Sequence, residues 1–122
     1  MIASVLFSGQ PAIAQEDKQT PTEQLFTAVQ DTETTPEVCA ALIKAGADVN
    51  AKDNHNWTPL RWAAAYNINQ RVIRELIANG AHVNQSNGYW TPLLLAARSN
   101  KNPEVIRKLI ANGADVNLVM KY

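Results

Sequence analysis

The residues best suited to acid–base, nucleophilic or metal chemistry are two histidines, His55 and His82, and a single cysteine, Cys39. A metal site needs three or four converging ligands. Nothing stands beside either histidine at ligand spacing, so a surface or local turn role is the reading for both. A nucleophilic cysteine needs an activating base and partial exposure. Cys39 instead takes an apolar-stripe position shared with Ile73 and Ile106, where cysteine behaves as a small hydrophobe. One cysteine also excludes an intrachain disulfide and a multi-cysteine metal site. Acidic residues are scattered, and neither a glycine-rich phosphate loop nor a His-Glu helix motif is present. The chain therefore carries no candidate catalytic, cofactor-binding or metal-binding residues. Eleven basic residues balance eleven acidic ones over 122 positions. A net charge of zero gives no electrostatic footprint for nucleic acid and no attraction to an anionic membrane.

The residues are arranged by an internal repeat. Three segments align without gaps: Thr34 to Asn50 (TTPEVCAALIKAGADVN), Ile68 to Asn84 (INQRVIRELIANGAHVN) and Lys101 to Asn117 (KNPEVIRKLIANGADVN). Gly46 and Gly80 are 34 positions apart, Gly80 and Gly113 are 33. A second block, Trp57-Thr58-Pro59-Leu60 with Ala63-Ala64, recurs as Trp90-Thr91-Pro92-Leu93 with Ala96-Ala97. Thr58 and Thr91 suit a helix N-cap, whose hydroxyl accepts a free backbone N–H. Pro59 and Pro92 suit the first helical position, where a missing N–H costs nothing. Leu60, Ala63 and Ala64 then share one helical face, and the alanines admit a close neighbour. Val72, Ile73, Leu76 and Ile77 form the stripe of the next helix, and Gly80 and Gly113 end the second helices. Asn50, Asn84 and Asn117 suit side-chain bonds to backbone groups of the connecting arm. Each unit is two short antiparallel helices and an arm. No unit buries its own apolar face, so stacking into a short all-α solenoid is required.

The strings WTPLRWAA, WTPLLLAA, GADVNAKD and GADVN resemble the ankyrin repeat, with its TPLH-type start and GADVN-type end. The resemblance covers Thr22 to Asn117, as about three repeats over 22–53, 54–86 and 87–117 within a domain spanning 22–122. Departures are visible. The family's histidine is Arg61 in one unit and Leu94 in the next, which predicts weaker bracing. The glycine expected before Trp57 is Asn56, which enters the left-handed region less readily than glycine but better than most residues. The second arm, Gln85 to Tyr89, is one residue shorter than Ala51 to Asn56. Leu25-Phe26-Thr27-Ala28-Val29 replaces the TPL start of the first unit and reads as an N-terminal cap. In the last helix Ile106, Leu109 and Ile110 are read as internal, with Arg107 and Lys108 outside.

The resemblance implies recognition of a protein partner through a concave face of arm tips and first helices. Positions that differ between repeats are not demanded by the repeat, and Tyr, Trp and Arg dominate interface energetics. The candidate contact residues are Asn54, His55, Asn56, Ser86, Asn87 and Tyr89 in the arms, with Arg61, Trp62, Tyr66, Leu94 and Arg98 on the first helices. Trp57 and Trp90 recur with the repeat and are read as packing between adjacent arms, with partner contact as the alternative. Other open readings are a regulatory or inhibitory module of a larger protein and a secreted host-targeting effector.

Met1 to Ala14 is uncharged, holds a short apolar run at Ile2 to Phe7, and ends on Ala12-Ile13-Ala14, a small-x-small pattern. It reads as a signal-peptide-like leader, followed by a polar linker over 15–21. No Lys or Arg precedes the run, so an upstream start or a plain flexible leader are the alternatives. The run falls short of the about 20 apolar residues of a membrane span. Periplasmic or secreted placement follows from the leader, and cytoplasmic placement if the leader is not a signal. A bacterial source follows from it and from the NPEVI-type turn, which resembles repeats of bacterial members.

Overall fold

A computed structural model describes residues 19–67, 69–86 and 90–117. The leader, 1–14, and the arm residues Asn87 and Tyr89 lie outside the described residues. Six helices follow in order: α1 (Pro21–Gln30), α2 (Pro36–Lys44), α3 (Pro59–Tyr66), α4 (Gln70–Ala78), α5 (Pro92–Ser99) and α6 (Pro103–Ala111). Among the described residues there is no strand, and no helix is long and apolar enough to cross a membrane.

Each helix start has a local chemical cause. Thr58 Oγ1 accepts from Arg61 N–H at 3.3 Å, and Thr91 Oγ1 accepts from Leu94 N–H at 3.2 Å. Proline follows both caps. The first unit uses other residues for the same end: Thr20 and Glu23 form a reciprocal capping box. Its helix begins at Pro21, one residue before the domain start read from the sequence. The second helices close alike. Gly46, Gly80 and Gly113 have φ of 114°, 100° and 100° and lie one residue past the cap. In the middle unit Gly80 N–H donates to Ile77 C=O and Ala81 N–H to Leu76 C=O, both at 3.0 Å. That 6→1 and 5→2 pairing uses up the helix's last carbonyls.

The first helices α1, α3 and α5 stack in one row, and α2, α4 and α6 in a second. Between the rows lies one core containing Leu25, Val29, Cys39, Leu60, Ala63, Ala64, Val72, Ile73, Leu76, Ala96, Val105 and Leu109. Burial pushes the Cys39 thiol up to about 11, with the charge of Glu75 adding to it, which suits a packing residue.

Two asparagine clasps join successive units. On the helix side, fully buried Asn67 donates through Nδ2 to Val29 C=O at 3.2 Å and to Asp31 C=O at 3.1 Å. One unit later Asn100 donates to Ala64 C=O and Asn67 C=O, both at 2.8 Å. On the arm side, Asn50 donates to Gly80 C=O and accepts from His82 N–H, both at 2.9 Å. Asn84 repeats this with Gly113 C=O at 3.2 Å and Asp115 N–H at 2.8 Å. The arm asparagines thus reach the next unit rather than their own arm.

The last helix departs from expectation. Leu109 is fully buried, but Ile110 is 45% exposed. The equivalent Ile77 is partly buried because a further unit packs over it.

Candidate functional site

The arm of the middle unit is built around Asp53. Asp53 N–H donates to Trp57 C=O at 3.0 Å and Asn56 N–H to Asp53 C=O at 2.9 Å, which closes the tip. The Asp53 carboxylate accepts three further bonds: Oδ1 from His55 and Trp57 N–H, each at 2.9 Å, and Oδ2 from the Trp62 indole N–H at 2.6 Å. Burial opposes ionisation of this carboxyl, yet the bonds from Trp57, Trp62 and His55 outweigh it and hold its pKa below the ordinary value. Asn56 takes a φ of 62°, the left-handed conformation its position requires.

Arg61 does not stand where residue type suggested. It is fully buried and so withdrawn from any contact surface. Its guanidinium lies 5.1 Å from the Trp57 ring centroid, and one of its terminal nitrogens donates to Asn56 C=O at 2.6 Å. Arg61 thus braces the arm from beneath, the task for which weaker bracing was expected. The brace has a cost. Nε and Nη2 are buried without a hydrogen-bond partner among the described residues. Burial lowers the pKa of Arg61, and the charge of Asp53 opposes that effect.

Above this base the aromatic residues form a ridge. Trp57 and Trp62 centroids are 4.6 Å apart, and Trp62 and Tyr66 centroids 5.7 Å. The rings are tilted by 46° and 32°, and both separations lie within the range of favourable aromatic pairs. Trp57 and Trp62 are half-buried and Tyr66 is 51% exposed. The described ring contacts of Trp57 are made inside its own unit, not with a neighbouring arm. Trp90 meets Arg98, whose guanidinium lies 5.0 Å from its centroid. The same tryptophan position therefore receives an arginine from two different places on the following helix.

The other candidates are dispersed around the ridge. Asn54 and His55 are exposed at the arm tip, and Asn56 is exposed beside them. Ser86 and Leu94 are half-buried, and Arg98 is exposed. The structure thus brings Asn54, His55, Asn56, Trp62 and Tyr66 together with Trp57 on one unit. Leu94, Arg98 and Trp90 belong to the next. Asp53, the hub of the arm, was not singled out from the sequence, nor were Asn67 and Asn100, although the last two recur at the repeat spacing. Among the described residues no group of three or more His, Cys, Asp or Glu side chains is placed to hold a metal.

The sequence family described as ankyrin repeats matches residues 25–120, in three copies. The chain belongs to the ankyrin-repeat family. Members of this family are typically binding scaffolds, and ankyrin repeats imply a protein partner. Among curated proteins, the mouse RelA-associated inhibitor is 35% identical over 74 residues, covering 55% of this chain and 8% of that protein. The chain therefore spans a small part of that relative's length. With the family in place, Arg61 is this ankyrin-repeat protein's substitute for the TPLH histidine, and the ridge is particular to its middle unit.

Proposed function

We propose that this protein is a scaffold that binds a protein partner through its arms and first-helix row. The ridge of Trp57, Trp62 and Tyr66 is the centre of contact. The observation that supports this reading is an exposed aromatic edge on a locked base. Asp53 fixes Trp62 through its indole N–H, and Arg61 fixes the arm beneath Trp57. A rigid aromatic surface loses little side-chain entropy on binding, and aromatic anchors carry much of an interface's affinity.

The test is cross-linked affinity capture of the tagged chain from its source cell, read by mass spectrometry. One dominant partner is expected, lost in Tyr66→Ala and retained in the second-helix variants Arg74→Ala and Arg107→Ala. Equal loss from both sets of variants refutes the mapping. We further propose export of the chain on the strength of the leader. Detection of a precursor cleaved after Ala14 checks it.

A second reading is supported by the likeness to RelA-associated inhibitor. In it the same surface serves as an inhibitory module that occupies a partner's own binding surface. Loss of the captured partner's activity on adding the purified chain, restored by Tyr66→Ala, distinguishes it from a passive scaffold.

A further inference from the structure

The second helices of the middle and third units end on the same string. Leu76 to Ala81 and Leu109 to Ala114 both read LIANGA, so each places an asparagine directly before the left-handed glycine. The fold does not demand that asparagine. In the first unit Ala45 precedes Gly46, and the same closing bonds form: Gly46 N–H donates to Ile43 C=O and Ala47 N–H to Leu42 C=O, both at 3.0 Å. Asn79 and Asn112 are exposed, and neither side chain belongs to a clasp between units.

An asparagine before glycine carries a chemistry of its own. Glycine has no side chain to shield its backbone nitrogen. Once that nitrogen gives its proton to hydroxide, it attacks Cγ of the asparagine. The new C–N bond closes a succinimide ring, and Nδ2 takes a proton from water and leaves as ammonia. Water then opens either ring carbonyl, to aspartate or to isoaspartate, whose backbone runs through the side-chain carbons. The helix ends restrain this reaction at both sites. Gly80 N–H is held by Ile77 C=O at 3.0 Å and Gly113 N–H by Ile110 C=O at 3.1 Å. Asn79 Nδ2 donates back to Glu75 C=O and Asn112 Nδ2 to Lys108 C=O, both at 2.8 Å. One further bond separates the sites: Asn79 Nδ2 also donates to Glu75 Oε2 at 2.7 Å. In the next unit Lys108 stands at that place, a cation with no acceptor to offer.

We propose that Asn112 is a site of spontaneous deamidation, and that Glu75 withholds the same reaction from Asn79. Loss of ammonia from Asn79 breaks a charge-assisted bond and sets a new carboxylate beside the Glu75 carboxylate. Among the described residues the Asn112 amide gives up only its bond to Lys108 C=O. The new carboxylate there lies at (i, i+4) spacing from the Lys108 ammonium, a favourable pair. Isoaspartate at 112 also adds an atom to the backbone just before Gly113. Gly113 C=O accepts Asn84 Nδ2 at 3.2 Å, so the modification loosens the arm clasp between the second and third units.

The test follows the conversion residue by residue. The full-length chain is incubated at mildly alkaline pH, once folded and once in urea. Peptide mapping by mass spectrometry reads aspartate and isoaspartate at Asn79 and Asn112, with Asn87, which also precedes a glycine, read separately. In urea the identical LIANGA segments react at the same rate. In the folded chain Asn112 converts about threefold faster than Asn79 or more, the worth of one exposed charge-assisted bond. Glu75→Lys abolishes the difference by speeding Asn79, and Lys108→Glu by slowing Asn112. A circular-dichroism melt establishes folding, and if Glu75→Lys unfolds the chain, Lys108→Glu alone must slow Asn112. Equal rates at the two sites of the folded, unaltered chain overturn the proposal, as does a difference that Lys108→Glu leaves in place. So does an Asn112 that stays intact in the folded chain over a period that converts it fully in urea.

Discussion

Asn67→Ala should be among the most damaging single substitutions in this chain that leave its apolar residues intact. Asn67 is fully buried and makes three bonds: two donated to Val29 and Asp31 carbonyls, one accepted from Asn69 N–H. Truncation to alanine removes all three and leaves Val29 C=O and Asn69 N–H to find other partners, while Asp31 C=O keeps its bond from Thr34 N–H at 3.0 Å. At about 1 kcal/mol net per bond the loss is about 3 kcal/mol, rising to about 5 kcal/mol where an orphaned group stays desolvated. Domains of this size hold roughly 5–15 kcal/mol in total, so a large share of the stability goes. The assay is urea unfolding followed by circular dichroism. With a slope of about 2 kcal/mol per molar, the midpoint should fall by roughly 1.5 M or more. Because the clasp joins the first unit to the second, amide exchange should rise first in α1 and α2, as nearest-neighbour coupling in a repeat array requires. Asn117→Ala, the same change where the carboxamide meets no described residue, should stay within about 0.5 kcal/mol of the unaltered chain. A loss below about 1 kcal/mol for Asn67→Ala, or equal losses for both variants, would refute the clasp as a source of stability.

Three further outcomes follow from the site and the core. The folded pKa of Asp53 is depressed, so its contribution to stability is present above the ordinary carboxylate range and is lost as pH falls through the depressed value. Acid melts should show this, with the acid limb flattened in Asp53→Asn and tryptophan emission shifting as the Trp62 bond breaks. Cys39, buried and with its pKa raised to about 11, should resist a thiol-disulfide reagent at about pH 8 in the folded chain and react on unfolding; rapid reaction without unfolding would contradict its placement in the core. Arg61→Leu loses a charge-assisted bond of about 1.5–3 kcal/mol and a contact with Trp57, but it also removes a buried cation with two nitrogens unpaired among the described residues. Because buried charges are often replaced by apolar side chains at little cost, stability should change by less than about 1 kcal/mol while the Trp57 emission changes; a loss above about 3 kcal/mol would show that the brace dominates.

Much of the fold was legible because its causes are local. A threonine cap is satisfied three residues away, as Thr58 is by Arg61 and Thr91 by Leu94, so sequence proximity suffices to see it. The helix-ending glycines are equally local: each needs only its own left-handed φ and the last turn behind it. The clasps are not local. Asn50 and Asn84 recur visibly, but their amides cross to the following unit, and no pattern along the chain says which backbone they reach. Asn67 and Asn100 were not singled out for the same reason. Arg61 shows the limit from the other side. Arginine is a common contact residue, and nothing in its type or spacing shows that its side chain runs inward beneath Trp57.

The clasps also explain how one unit can carry a distinctive surface without losing its place in the array. Stacking is held by positions that recur: the asparagines, the small first-helix residues and the apolar stripe. None of these belongs to the ridge; Trp57 recurs as Trp90, but its described ring contacts are made within its own unit. Trp62 and Tyr66 have Leu95 and Ser99 as their counterparts one unit later, and both units still stack. The contact surface is therefore free to differ from unit to unit, provided that something secures the arm. In the middle unit that something is the pair Asp53 and Arg61, one binding the ridge and the other the turn. A change at Tyr66 should consequently alter recognition while leaving the stack in place, whereas a change at Asp53 should alter both.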